Sequence, residues 1–261
     1  FGRCSVTVQL PLISAMRVQA CPLPTAILSV HTGFPNHYLD DYTDRMRPYM
    51  ENWAANALEF DAILTGFLGS ERQIEVVLEC IARFKQRTTQ LVVDPVMGDN
   101  GSLYSSYTPA LCAKMRQLLP QADVVTPNLT EACQLLGADY PTGGLVTEDE
   151  LARMAAAIAA MGPRTVIITG LHAGANVRTY LYADGCGRSF DNPKVGRDRS
   201  GAGDAFSAII AAALVRGIPL AEGVPRAADF IGHCLTYAEE LDLPWNHGLP
   251  FEEFMGELTE L

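Results

Sequence analysis

Residues 197–204 read Arg197-Asp198-Arg199-Ser200-Gly201-Ala202-Gly203-Asp204, and the apolar run Ala205 to Val215 follows directly. Ser207 is the one polar residue in that run, which ends at Arg216-Gly217 with Pro219 behind it. The pattern predicts a helix buried on nearly every side and stopped by glycine. Glycines ahead of a helix let backbone N–H groups turn toward an anion, and the positive end of the helix dipole adds to the attraction. Such a turn suits the charge of a phosphoryl group in transfer. Asp204, at the helix start, is placed to take a proton from an attacking hydroxyl. A plain glycine-rich turn with an Asp cap satisfies the same residues, so the rest of the chain has to decide.

Along the rest of the chain, short apolar runs alternate with helical patterns. Pro24–Val30, Asp61–Thr65, Leu91–Asp94, Val124–Thr126 and Thr165–Thr169 read as strands. Between them, Ser70-Glu71-Arg72-Gln73 and Thr147-Glu148-Asp149-Glu150 have the form of capping boxes, and Thr108-Pro109 opens a helix with proline at its first position. Val6–Met16 suits a helix interrupted by Pro11, and Phe34–Arg47 reads as an acidic loop running into a helix. Leu220–Leu241 and Phe251–Leu258 close the chain as helices. The alternation predicts an α/β fold, a three-layer αβα arrangement with a mostly parallel sheet covered on both faces. Val177–Ala183 and Gly187–Phe190, joined across Asp184-Gly185, predict an antiparallel hairpin at one edge. With no repeat and no linker, residues 1–261 read as one domain.

Open α/β sheets bind ligands beyond the carboxyl ends of their strands. Those ends carry Asp94-Pro95-Val96-Met97-Gly98-Asp99, Thr126-Pro127-Asn128-Leu129-Thr130-Glu131 and Thr169-Gly170. Asp94 and Asp99 around a glycine could face a metal and phosphates, or form an acidic turn. Asn128 and Glu131 could hold metal-bound water, or cap a helix. A Mg²⁺ ion held mostly through water needs few direct protein ligands, so the combination with the glycine turn favours phosphoryl transfer.

Bulk properties narrow the field. The formal net charge of −11 repels phosphate backbones, which excludes nucleic acid as a natural partner. No apolar stretch is long enough to span a bilayer. The seven cysteines are dispersed without a Cys-x-x-Cys pair, which points to a reducing, cytoplasmic setting. The chain starts at Phe1 rather than Met, and the pattern leads us to expect a strand ahead of it.

Three blocks, Asp94–Asp99, Thr126–Glu131 and Ser200–Asp204, resemble those shared by pyridoxal (vitamin B6) kinases and hydroxymethylpyrimidine kinases, both ribokinase-like. Leu28-Ser29-Val30-His31-Thr32-Gly33, Leu64-Thr65-Gly66-Phe67 and Gly2-Arg3-Cys4-Ser5 resemble pyridoxal-kinase segments in the same order. The resemblance implies ATP-dependent phosphorylation of the 5′-hydroxymethyl group of a B6 vitamer. Asp204 would be the base and the Gly201, Ala202 and Gly203 amides the anion hole. Asp94, Asp99, Asn128 and Glu131 would serve ATP, Mg²⁺ and a monovalent cation such as K⁺, with Asp94, Asp99 and Glu131 on the metal. Thr126, Thr169 and Ser200 would meet the nucleotide phosphates. Ser5, His31, Thr32 and Phe67 would line the acceptor site, and the chain would form a homodimer. Phe67 stands where Tyr is usual, and Ala202 where Thr is common. The rivals are a hydroxymethylpyrimidine kinase and a non-catalytic vitamer-binding protein of the same fold.

Overall fold

Leu91, Val92 and Val93 are fully buried, and Val124 and Val125 nearly so, as expected of β-branched and aliphatic runs at the centre of a sheet covered on both faces. The structure is a computed structural model and describes residues 1–260. In chain order its helices are α1 (Val6–Ala15), α2 (Thr43–Ala55), α3 (Glu71–Phe84), α4 (Pro109–Met115), α5 (Leu129–Leu136), α6 (Glu148–Ala159), α7 (Ala202–Val215), α8 (Leu220–Glu240) and α9 (Met255–Thr259). Its strands are β1 (Ala26–Leu28), β2 (Leu39–Asp41), β3 (Ala62–Thr65), β4 (Gln90–Val93), β5 (Gly98–Asp99), β6 (Ser102–Leu103), β7 (Val124–Val125), β8 (Thr165–Ala173), β9 (Asn176–Ala183) and β10 (Cys186–Pro193).

The described residues group into two compact units: residues 1–49 with 192–260, and residues 50–191. The main sheet has the order β10-β9-β8-β7-β4-β3. Pairing is parallel from β3 through β4 and β7 to β8, then antiparallel between β8 and β9. The fold is therefore α/β with a mostly parallel central sheet, as expected. The edge hairpin is also present: Asp184 and Gly185 both take positive φ, the geometry of a type I′ turn that matches strand twist.

Three local readings change. Strand β8 does not stop at Thr169-Gly170. Its register shifts between Ile168 and Leu171, with Gly170 at φ +67°, and pairing resumes to Ala173. That is a bulge in a continuing strand. The loop expected over Phe34–Arg47 contains β2, which pairs with β1 as a separate two-stranded ribbon outside the main sheet. At Ser70 the box is half formed. Its side chain accepts from the Gln73 N–H, while Gln73 Oε1 reaches one residue further back to the Gly69 N–H at 2.7 Å.

In the first unit, α7 lies against α1 and α8. Every residue from Ala205 to Ala213 is buried, and the hydroxyl of Ser207 donates to the Asp204 carbonyl, so the single polar side chain of the run is satisfied inside its own helix. A rigid, buried α7 holds Asp204, in its first turn, in a defined place.

Candidate active site

The first unit holds the glycine turn. Gly201 is the N-cap of α7 at φ +91°, and a Cβ there would lie 2.2 Å from the Arg3 carbonyl oxygen. Both facts demand glycine. The first regular helical bond of α7 runs from the Ala205 N–H to the Gly201 carbonyl, so the amides of Gly203 and Asp204 precede the ladder. The Ala202 N–H already turns back to the Arg199 carbonyl at 3.4 Å, a long bond. Nothing outside its own helix and chain neighbours lies within 4 Å of where a Gly203 Cβ would sit. Ser200 is half-buried in the turn just ahead.

Asp204 Oδ2 accepts the Ser5 N–H at 2.7 Å, and Ser5 itself is the N-cap of α1, at φ +51°. Burial raises the Asp204 pKa, and the Ser5 amide and nearby His31 pull it part of the way back. The result is a carboxyl that ionises later than an ordinary aspartate. Thr32 is exposed, while His31 is engaged: Nδ1 accepts the Gly33 N–H at 3.1 Å and Nε2 lies 2.8 Å from the Asn246 carbonyl oxygen. Sequence reasoning offered His31 as a contact for an acceptor ring, but both ring nitrogens are taken by backbone. The ring instead meets Phe34 edge-on at 5.0 Å, and Phe34 stacks with His247.

The second unit gathers the carboxylates. Asp94 follows β4 and is buried, Asp99 sits on β5, and Glu131 lies in the first turn of α5. Glu131 Oε2 accepts the Asn128 N–H at 2.8 Å, and Asn128 Oδ1 accepts the Glu131 N–H at 3.0 Å. This is a complete capping box, so the capping alternative for these two residues is realised. It is not their whole use. Glu131 Oε1 also accepts the Met97 N–H at 3.1 Å, and Asn128 Nδ2 donates to the Gly98 carbonyl at 2.8 Å, tying the Asp94–Asp99 loop to α5. Glu131 is held well above the usual carboxylate range, first by burial, then by the charge of Asp94 and, less, of Asp99, against the pull of its two amides.

Thr126 and Thr65 have buried hydroxyls without a hydrogen-bond partner. Thr65, at the end of β3, is a residue that sequence reasoning did not single out. Thr169 lies just before the β8 bulge, with its N–H on the Pro127 carbonyl at 2.9 Å. Phe67 packs edge-on against Tyr107 at 6.1 Å, and the Tyr107 hydroxyl, its pKa raised by burial, accepts the Leu68 N–H.

Among the described residues no three His, Cys, Asp or Glu side chains form a ready metal cage. Asp94, Asp99 and Glu131 nevertheless lie close enough for their charges to act on one another, and carboxylate oxygens suit a hard cation retaining much of its water. In the second unit the structure thus brings Asp94, Asp99, Asn128 and Glu131 together, with Met97 and Gly98 as backbone partners. In the first it brings Ser5 to Asp204.

A profile of the phosphomethylpyrimidine kinases matches residues 10–248. The chain is 29% identical to the hydroxymethylpyrimidine/phosphomethylpyrimidine kinase of Rhizobium meliloti (strain 1021), over 95% of this chain and 91% of that protein. A Bacteroides thetaiotaomicron VPI-5482 protein, provisionally named a phosphomethylpyrimidine kinase and crystallised with pyridoxal, superposes with a TM-score of 0.93. It is 35% identical, over 100% of this chain and 92% of that one. An ADP complex of Bacillus subtilis pyridoxal kinase superposes with a TM-score of 0.75 at 28% identity, over 90% of this chain and 87% of that one. Among the described residues no helix is long and apolar enough to cross a membrane.

Proposed function

The chain belongs to the phosphomethylpyrimidine kinase family, and from that premise we propose that it transfers the γ-phosphoryl group of ATP to the 5′-hydroxymethyl group of a B6 vitamer. The observation that carries the acceptor is the likeness, along the whole chain, to a protein crystallised with pyridoxal.

In the first unit, Asp204 takes the proton of the hydroxymethyl group as its oxygen attacks phosphorus. The Ser5 amide holds the carboxylate in one orientation. The Gly201–Gly203 turn, through the amides ahead of the α7 ladder, faces the negative charge on the transferring group. Ser200 is a further contact to that group, and Thr32 is the polar contact to the acceptor ring. In the second unit, Thr126, Asn128 and Thr169 bind the donor nucleotide. Asp94, Asp99 and Glu131 would hold Mg²⁺, which when bound supplies positive charge against the donor phosphates. In this proposal the chain is one kinase domain and works as a homodimer.

A second reading has its own support. The Rhizobium meliloti relative is named for hydroxymethylpyrimidine as well as phosphomethylpyrimidine, and the family profile for phosphomethylpyrimidine, which supports hydroxymethylpyrimidine as the acceptor. Both acceptors present a hydroxymethyl group on a six-membered nitrogen heterocycle, so the base and the anion turn serve either. The deciding experiment is an ATP-consumption assay with Mg²⁺ in which pyridoxal, pyridoxine, pyridoxamine and hydroxymethylpyrimidine are offered separately. Turnover led by a B6 vitamer supports the proposal. Turnover with hydroxymethylpyrimidine alone replaces it with the second reading. Vitamer binding without turnover would make the chain a carrier.

A further inference from the structure

Three carbonyls of one short segment accept hydrogen bonds from three separate parts of the first unit. The Pro244 carbonyl accepts from Arg199 Nη1 at 3.1 Å, the Asn246 carbonyl lies 2.8 Å from His31 Nε2, and the His247 carbonyl accepts from the Arg3 N–H at 3.3 Å. Arg199 stands two residues ahead of Gly201 and is anchored again by Glu239 at 3.0 Å, while Arg3 stands two ahead of Ser5, whose amide holds Asp204. Gly248, at φ +77°, passes so close to Arg3 that a Cβ would lie 2.4 Å from its carbonyl oxygen. The segment therefore binds the anion turn, the Ser5–Asp204 pair and the His31–Gly33 loop to one short piece of backbone.

His31 is the only one of the three whose bonding depends on a proton. The Gly33 N–H can only donate, so Nδ1 must accept. The Asn246 carbonyl can only accept, so Nε2 must carry the hydrogen. One neutral tautomer satisfies both. The ring lies close against two glycines: a Cβ on Gly2 would lie 2.5 Å from its Cδ2, and one on Gly33 would lie 2.7 Å from its Cε1. Two glycines flank the imidazole closely enough that neither tolerates a side chain without movement.

We propose that His31 is a positioning residue for phosphoryl transfer: locked as the Nε2–H tautomer between the Gly33 amide and the Asn246 carbonyl, it fixes the Thr32–Gly33 loop against the segment that also anchors Asp204. It acts through backbone rather than by touching the reacting atoms. The inference rests on the reading of Thr32 and Asp204 as acceptor-site residues.

The test joins a spectroscopic and a kinetic measurement on the full chain. Nitrogen-15 NMR of histidine-labelled protein should show His31 with an unprotonated Nδ1 and a protonated Nε2, assigned by comparison with His31→Gln. The opposite tautomer, or a charged ring at neutral pH, would overturn the inference whatever the enzyme's activity. His31→Ala should raise the acceptor KM about tenfold or more, with the ATP KM nearly unchanged. His31→Asn keeps an acceptor for Gly33 and His31→Gln a donor for Asn246, so each should recover part of the loss. Unchanged acceptor KM in His31→Ala, or no recovery in either conservative variant when all melt like wild type, would refute it. A wild-type protein inactive with every acceptor would instead refute the kinase reading, and the tautomer would still decide whether the lock exists.

Discussion

The Ser5 backbone amide donates to Asp204 Oδ2 at 2.7 Å, joining the cap of α1 to the first turn of α7 across 199 residues of sequence. A carboxylate held this way has one oxygen occupied and one left for a substrate proton, which is the geometry a general base needs. Asp204→Asn keeps the size and can keep the Ser5 bond through its amide oxygen, but cannot accept the proton. Turnover should fall by about two to four orders of magnitude, with the melting temperature close to wild type. Near-normal kcat in a folded Asp204→Asn protein would remove the base assignment.

The acid limb of the rate profile should be displaced. Burial raises the Asp204 pKa more than the Ser5 amide and His31 lower it. A general base works only when ionised, so activity should fall as pH drops through that raised value, and the fall should begin at higher pH than for an ordinary aspartate. Measuring kcat against pH at saturating substrates checks this. A limb within the normal carboxylate range would mean that solvent reaches Asp204 freely in the working enzyme.

Gly201→Ala tests the turn. The residue would have to hold φ +91° with its Cβ 2.2 Å from the Arg3 carbonyl oxygen, so the backbone must move. The strain should cost about 1–3 kcal/mol, read by denaturant unfolding, and turnover should fall further than stability because the anion turn itself shifts. Gly203→Ala meets nothing within 4 Å, and its stability loss should be small. Equal behaviour of the two variants would show that the turn is not held by Arg3.

Much of this was legible in the sequence, for reasons that separate by residue. Leu91–Val93 of β4 and both residues of β7 are buried and aliphatic, and the β9–β10 turn carries Asp-Gly where both positions need positive φ. Asn128 and Glu131 have the spacing of a capping box, and they form one. What stayed hidden lacked a side-chain signal. Strand β2 is Leu39-Asp40-Asp41, exposed and acidic, and pairs only as a ribbon. The continuation of β8 past Gly170 depends on a bulge. The acceptors that hold His31, Arg199 and Arg3 are backbone carbonyls, which every residue carries, so no residue type marks them in advance.

The carboxylates of the second unit can be tested without turnover. Glu131 is buried, raised in pKa by burial and by Asp94 and Asp99, and bonded to two amides. A divalent cation at Asp94, Asp99 and Glu131 would relieve that repulsion, so it should bind the folded chain better than the unfolded one. Added Mg²⁺ should then raise the melting temperature, by about 2.7 kcal/mol of stability at a hundredfold excess over its dissociation constant. EDTA should reverse the shift. Asp94→Asn removes one of the charges that crowd Glu131, so the protein without Mg²⁺ should lose little stability while its response to Mg²⁺ shrinks. Na⁺ at matched ionic strength separates specific binding from screening. A melting shift as large in Asp94→Asn as in wild type would place the cation elsewhere and leave Asp94, Asn128 and Glu131 as supports of the α5 cap alone.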